Sequence, residues 1–133
     1  MVGLDTNVIC RYLLGDDPGQ ARKAAQVIED CRKRSIPCFL SKITLCEMVW
    51  VFETCTSMER SAIAGTLDAL LHSDVIEVEE RSSVRRALDL FTSGKADFAD
   101  YLIGETDAEQ GCEKTVTFDT ALEGTPGFEI LRP

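Results

Sequence analysis

Five short runs of strand-type residues, separated by longer stretches with helical spacing, constrain this chain more than any other feature of its sequence. The runs are Val2-Gly3-Leu4, Ile36 to Leu40, Val75 to Val78, Thr115 to Phe118 and Phe128 to Leu131. Strands joined by helical crossovers pair mostly in parallel, through right-handed connections. The expected class is therefore α/β: a three-layer α/β/α sandwich around a mostly parallel sheet of four to five strands.

Helix ends are marked along the way. Helical spacing runs from Asn7 through Val8, Ile9, Tyr12 and Leu13, and Gly15-Asp16-Asp17-Pro18-Gly19 is turn chemistry before a second helix over about 18–34. Ser41 is placed to cap an apolar helix over 42–55, and Ser57 to cap another that carries Ile63, Leu67, Leu70 and Leu71. Two more helices are predicted over about 81–93 and 97–110, the second closed by Gly111. No repeat, low-complexity segment or linker interrupts the 133 residues, so one domain over 1–133 is expected.

The longest apolar stretches, such as Met48 to Phe52, fall far short of the roughly 20 residues that cross a bilayer. Asp5 stands where an export signal needs a basic and then an apolar region, which predicts a cytoplasmic protein. The six cysteines form no C-x-x-C pair and the one histidine is His72, so zinc-finger spacing is absent and most thiols read as small buried apolar groups.

In open parallel sheets ligands bind beyond the carboxyl ends of the strands. Asp5 and Asp119 follow the first and fourth runs, so both are expected at one end of the sheet. Each is also a helix-cap candidate. Glu47 sits among Ile43, Thr44, Trp50 and Val51 of an apolar helix, and a carboxylate buried there needs a cation or a donor. Asp97 and Asp100 are spaced i, i+3 at a helix start, with Asp97 as the better cap and Asp100 leaning toward the other acids. Carboxylates converging in this way raise one another's pKa unless a cation intervenes. Oxygen donors without Cys or His select a hard ion, Mg²⁺ or Mn²⁺.

The stretches Val2-Gly3-Leu4-Asp5-Thr6-Asn7-Val8, Asp16-Asp17-Pro18, Leu45 to Val51, Ala96 to Ile103 and Thr117-Phe118-Asp119, in that order and spacing, resemble the PIN-domain ribonucleases. More narrowly they are similar to the VapC-type toxins of type II toxin–antitoxin pairs, over the whole length. The resemblance implies a single PIN-like domain over 1–133, with the family's acids on Asp5, Glu47, Asp100 and Asp119. It makes Asp97 an accessory acid and Thr6, Asn7 and Thr117 supporting polar residues. It further implies Mg²⁺-dependent endonucleolytic cleavage of RNA, a homodimer, and inhibition by a cognate antitoxin. On that basis Asp5 and Asp100 anchor the ion, Glu47 and Asp119 complete its shell, and either Glu47 or Asp119 serves as the base.

With 14 basic and 23 acidic residues the net charge is −9, which argues against RNA binding by a general positive field. Glu105, Asp107, Glu109 and Glu113 crowd the helix of Asp100 and the loop beyond it. The bases cluster at Arg22-Lys23, Arg32-Lys33-Arg34 and Arg85-Arg86, read either as solvated helix faces or as a track joined across a dimer. A haloacid-dehalogenase-type phosphotransferase needs a second Asp where Asn7 stands, and a response-regulator receiver needs paired acids directly after its first strand. The remaining alternative is a PIN-like module that binds or regulates without catalysis.

Overall fold

The computed structural model describes residues 1–133, which fall into two compact units, Met1–Arg81 and Ser82–Pro133. In the first, β1 (Val2–Gly3), α1 (Thr6–Leu14), α2 (Pro18–Lys33), β2 (Cys38–Leu40), α3 (Lys42–Cys55), α4 (Arg60–Leu71) and β3 (Ile76–Val78) follow one another. The strands form a parallel sheet in the order β1-β2-β3, with Val2 opposite Cys38 and Cys38 opposite Ile76. Cys38 and Leu40 of the middle strand are buried with Ile9, Leu45, Met48, Phe52, Ile63 and Leu67 from the helices. Each such side chain contributes roughly 1.5–3 kcal/mol on removal from water, which is why short strands suffice once helices cover them.

The second unit holds nearly all of α5 (Arg81–Ser93), then α6 (Phe98–Glu109), β4 (Thr115–Thr117), a 3₁₀ turn (Thr120–Leu122) and β5 (Phe128–Ile130). β4 and β5 pair in parallel, with Thr115 opposite Phe128. The rings of Phe91 on α5 and Phe98 on α6 meet edge to face at 5.9 Å. Arg86 ties the same helices on the outside, reaching Glu105 at 2.8 Å and Glu109 at 3.2 Å. Asp107 accepts from Thr115 Oγ1 at 2.8 Å and fastens β4 to α6. Three of the acids that crowd this helix in sequence are therefore engaged in holding the unit together.

The α/β class holds, with every strand pairing parallel, but the hydrogen-bonded ladders are two, of three strands and of two, rather than one continuous sheet. Strands of two or three residues offer few backbone groups, so each ladder is short. Helix starts follow the capping signals where the cap bonds: Asp5, Asp17 and Ser41 each accept from the amide three residues on. Ser57 does not cap α4. Thr56 occupies that stretch instead, bonding back to the Phe52 carbonyl and accepting from Met58 N at 3.1 Å, and the helix begins only after Glu59. Gly111 lies just past α6 with φ of 91°, a conformation that favours glycine at a helix end. Of the cysteines, Cys10, Cys31 and Cys38 are buried, Cys46 is half-buried, and Cys55 and Cys112 are exposed. No helix is long and apolar enough to cross a membrane.

Candidate active site

In the first unit the acids sit where two parallel strands hand over to helices. Buried Leu4 fixes the end of the first strand, and Asp5 follows it with an extended backbone and serves as N-cap of α1. Its Oδ1 accepts from Val8 N at 3.1 Å, and the helix dipole favours a negative charge there. β2 is the parallel neighbour of β1, and Ser41 caps α3 immediately after it, so α3 starts at the same end of the sheet. Glu47 stands on the second turn of α3. Thr6 Oγ1 donates to Glu47 Oε1 at 3.1 Å, joining the first turn of α1 to α3 and orienting that carboxylate. Asn7 is exposed beside them.

Glu47 departs from the sequence expectation. It is exposed, not buried, because its apolar neighbours Ile43 and Trp50 are themselves 73% and 64% exposed. The spacing 43, 47, 50 traces one outward strip of α3, while Met48 and Phe52 fill the core side. An apolar residue type is not evidence of burial. What holds Glu47 is Thr6, a partner 41 positions away that helical neighbours cannot reveal.

In the second unit Asp100 feels the charges of two neighbouring acids. Burial pushes the Asp100 carboxyl above the ordinary carboxylate range; a hydrogen bond with the Asp97 backbone opposes this, and the charges of Asp97 and Asp119 push further upward. Asp119 follows β4 and caps the 3₁₀ turn, its Oδ1 accepting from Ala121 N at 2.9 Å while its own N–H donates to Thr117 Oγ1 at 3.1 Å. Asp97 takes the expected N-cap place, though not the expected side-chain bond. Asp97 has the N-cap position and backbone, but its side chain makes no capping bond, whereas Asp100 at the third helical position engages the Asp97 backbone. This is the returning half of a capping box without its forward half.

The start of α6 is set by contacts that sequence motifs did not mark. Buried Tyr101 accepts a hydrogen bond at Oη from Ala96 N, at 3.3 Å. A Cβ on Gly94 would lie 1.9 Å from that oxygen and 2.8 Å from the Leu90 carbonyl, so the chain entering Asp97 can close on Tyr101 only with glycine there. One step further, Gly104 lets the Phe128 ring approach α6, since a Cβ would lie 2.5 Å from its edge.

The donor chemistry is that of a hard cation: carboxylates supported by threonine hydroxyls, with no thiol or imidazole in the candidate set. No group of three or more His, Cys, Asp or Glu side chains is gathered closely enough to hold a metal ion. The oxygen donors fit Mg²⁺ or Mn²⁺ by type, and burial of Asp100 beside the charges of Asp97 and Asp119 is a circumstance that a bound cation relieves.

Parallel strands with acids beyond their carboxyl ends, on a chain of this length, are the architecture expected of a PIN domain. The model of the PIN domain family matches residues 2–127, and the chain belongs to that family. It is 23% identical over 130 residues to a VapC ribonuclease of Aquifex aeolicus (strain VF5), an alignment covering 98% of this chain and 95% of that protein. No solved structure matches the chain.

Proposed function

We propose that this PIN protein, one functional domain over residues 1–133, is a divalent-metal-dependent endoribonuclease that hydrolyses RNA phosphodiester bonds. Its reaction is carried by Asp5, Glu47, Asp100 and Asp119. The observation that most supports this is Asp100, half-buried and opposed by the charges of Asp97 and Asp119, because a carboxylate in that setting is costly until something positive binds it. The likeness to a VapC ribonuclease supports RNA as substrate, and with it the reading of the protein as the toxin of a type II toxin–antitoxin pair, cytoplasmic, homodimeric and restrained by a cognate antitoxin.

The acids Asp5, Glu47, Asp100 and Asp119 would hold Mg²⁺ or Mn²⁺, with Asp97 as an accessory. When bound, such an ion acidifies water and neutralises the non-bridging oxygens of a phosphate. The chain's residues do the rest. Asp5 is fixed by the α1 amide that bonds it, so its carboxylate needs little reorganisation. Thr6 holds Glu47 in one orientation, and Thr117 does the same for the backbone of Asp119. Glu47 or Asp119 receives the proton of the attacking water, each being exposed and able to pass it to solvent. Water as nucleophile spares the ribose 2′-hydroxyl, so the cut ends carry 5′-phosphate and 3′-hydroxyl groups.

The test incubates purified protein and Asp100→Asn with defined structured RNAs in Mg²⁺, in Mn²⁺ and in EDTA, and maps the ends. Cleavage that needs both the ion and Asp100 and leaves 5′-phosphates is the expected result. Equal behaviour of wild type and variant across a broad RNA panel would overturn the proposal in favour of a non-catalytic module.

A further inference from the structure

A groove of about 550 Å³ opens between α1 and α2, and Asp5 forms part of its wall. The two helices are turned back on each other at Gly15, whose φ of 64° ends α1 in the left-handed region. Val8 and Val27 give the groove apolar surface, and Arg11, Gln20 and Lys23 give it donors. Arg11 is held in place: Nη1 reaches Asp16 at 2.7 Å and Nε donates to Gln20 Oε1 at 2.8 Å. Asp17, also on the wall, is committed to the α2 N-terminus, where Gln20 N donates to it at 3.1 Å.

Lys23 differs from three of the clustered cations. Arg32 pairs with Glu29 and Asp74, Arg85 with Asp89, and Arg86 with Glu105 and Glu109. Those bases are engaged within the molecule. Lys23 forms no ion pair, in a chain with 23 acids to 14 bases, and it lines the cavity that Asp5 also lines. Another groove, beside α4, has Arg32 as its charged wall residue and none of the four proposed catalytic acids. Along α1, Asp5 and Arg11 are separated by six residues, about 9 Å of helix rise.

We propose that the α1–α2 groove is a subsite for single-stranded RNA beside the cut. Lys23 and Arg11 hold a phosphate flanking the scissile one, while Val8 and Val27 face its ribose or base. The inference rests on the ribonuclease reading above. An acidic protein cannot gather RNA through its overall field, so its attraction has to come from individual cations on the route to the acids, and on this wall Lys23 is such a cation, while Arg11 keeps its pair with Asp16. An unpaired base can lie on an apolar wall without being read by sequence.

The experiment titrates a fluorescein-labelled, mixed-sequence single-stranded oligoribonucleotide with wild type, Lys23→Gln and Lys33→Gln, in EDTA, at several salt concentrations. Lys33 ends α2 and lies outside the groove, so its variant removes the same charge elsewhere. Cleavage kinetics of the three proteins in Mg²⁺ are measured alongside. The expected result for Lys23→Gln is binding weakened several-fold, a log–log salt slope shallower by about 0.7, and a raised KM with kcat retained. Lys33→Gln stays at the wild-type values. If Lys23→Gln matches Lys33→Gln while the wild type still cuts RNA, the subsite is wrong and the ribonuclease reading survives. Weakened binding with an unchanged salt slope also overturns the subsite, and indicates a groove built for an apolar peptide segment. A wild type that neither binds nor cuts RNA overturns both.

Discussion

In the unit Met1–Arg81 each candidate acid is given a donor, whereas in the unit Ser82–Pro133 Asp119 has the Ala121 amide but Asp100 is set against burial and the charges of Asp97 and Asp119. Asp5 has the Val8 amide and Glu47 has the Thr6 hydroxyl. Asp100 has one backbone hydrogen bond, opposed by burial and by two neighbouring charges. Donors stabilise a carboxylate as it stands, while burial and like charges make it costly until a cation arrives. The first arrangement orients groups for a reaction. The second stores the need for a positive partner.

This asymmetry predicts unequal effects when each side is broken. The largest is expected from Asp100→Asn, which lowers RNA cleavage by at least about 100-fold in single-turnover assays. The same substitution stabilises the metal-free fold near neutral pH. An acid whose folded pKa is raised contributes stability that is fully present below its unfolded value and lost as pH rises through the folded value, so at pH 7 ionised Asp100 is a cost that asparagine removes. Thermal melts across pH should therefore converge for wild type and variant in acid and separate toward neutrality. Gly94→Ala comes next, costing about 1–3 kcal/mol in urea denaturation because its Cβ collides with Tyr101 Oη and the Leu90 carbonyl, and disturbing the entry to Asp97.

On the other side, Thr6→Val removes one hydrogen bond of about 1 kcal/mol, roughly a fivefold loss of cleavage rate. A loss as large as that of Asp100→Asn would erase the distinction between the two units. The smallest effect concerns the thiols. Cys55 and Cys112 are exposed and should react first with a thiol reagent, whereas burial and a hydrogen bond to Cys31 push Cys38 up to about 11, and burial also raises Cys10 and Cys46. Counting fast and slow thiols in native protein checks this, with activity retained after the fast pair has reacted.

The parts legible in the sequence were those governed by local chemistry. Alternating strand and helix patterns located the elements, and Asp5 and Asp119 do follow strands, but strands of two separate ladders and not of the one sheet that the chain-order argument assumed. The helix over 42–55 was readable from Ser41 because its cap bond spans three residues. What escaped depends on partners far away in sequence. Glu47 is surrounded by apolar residue types, yet its strip of α3 faces outward, and only Thr6 explains its orientation. Asp97 holds the cap place without the bond and Asp100 makes the returning one, because the reciprocal bonds of a capping box look alike from residue spacing. Gly94 reads as ordinary turn punctuation until the Tyr101 hydroxyl is found against it.

The central claim is that the half-buried carboxyl of Asp100 is there for a cation, and thermal unfolding of wild type and Asp100→Asn at pH 7, in EDTA and in Mg²⁺, tests it most directly. Selective binding of the ion to the folded protein raises Tm by mass action. The account predicts that Mg²⁺ raises the Tm of the wild type, and that Asp100→Asn melts above the wild type in EDTA while losing most of the increment from Mg²⁺. A wild type that Mg²⁺ leaves unmoved, with Asp100→Asn melting below it in EDTA, would contradict the claim.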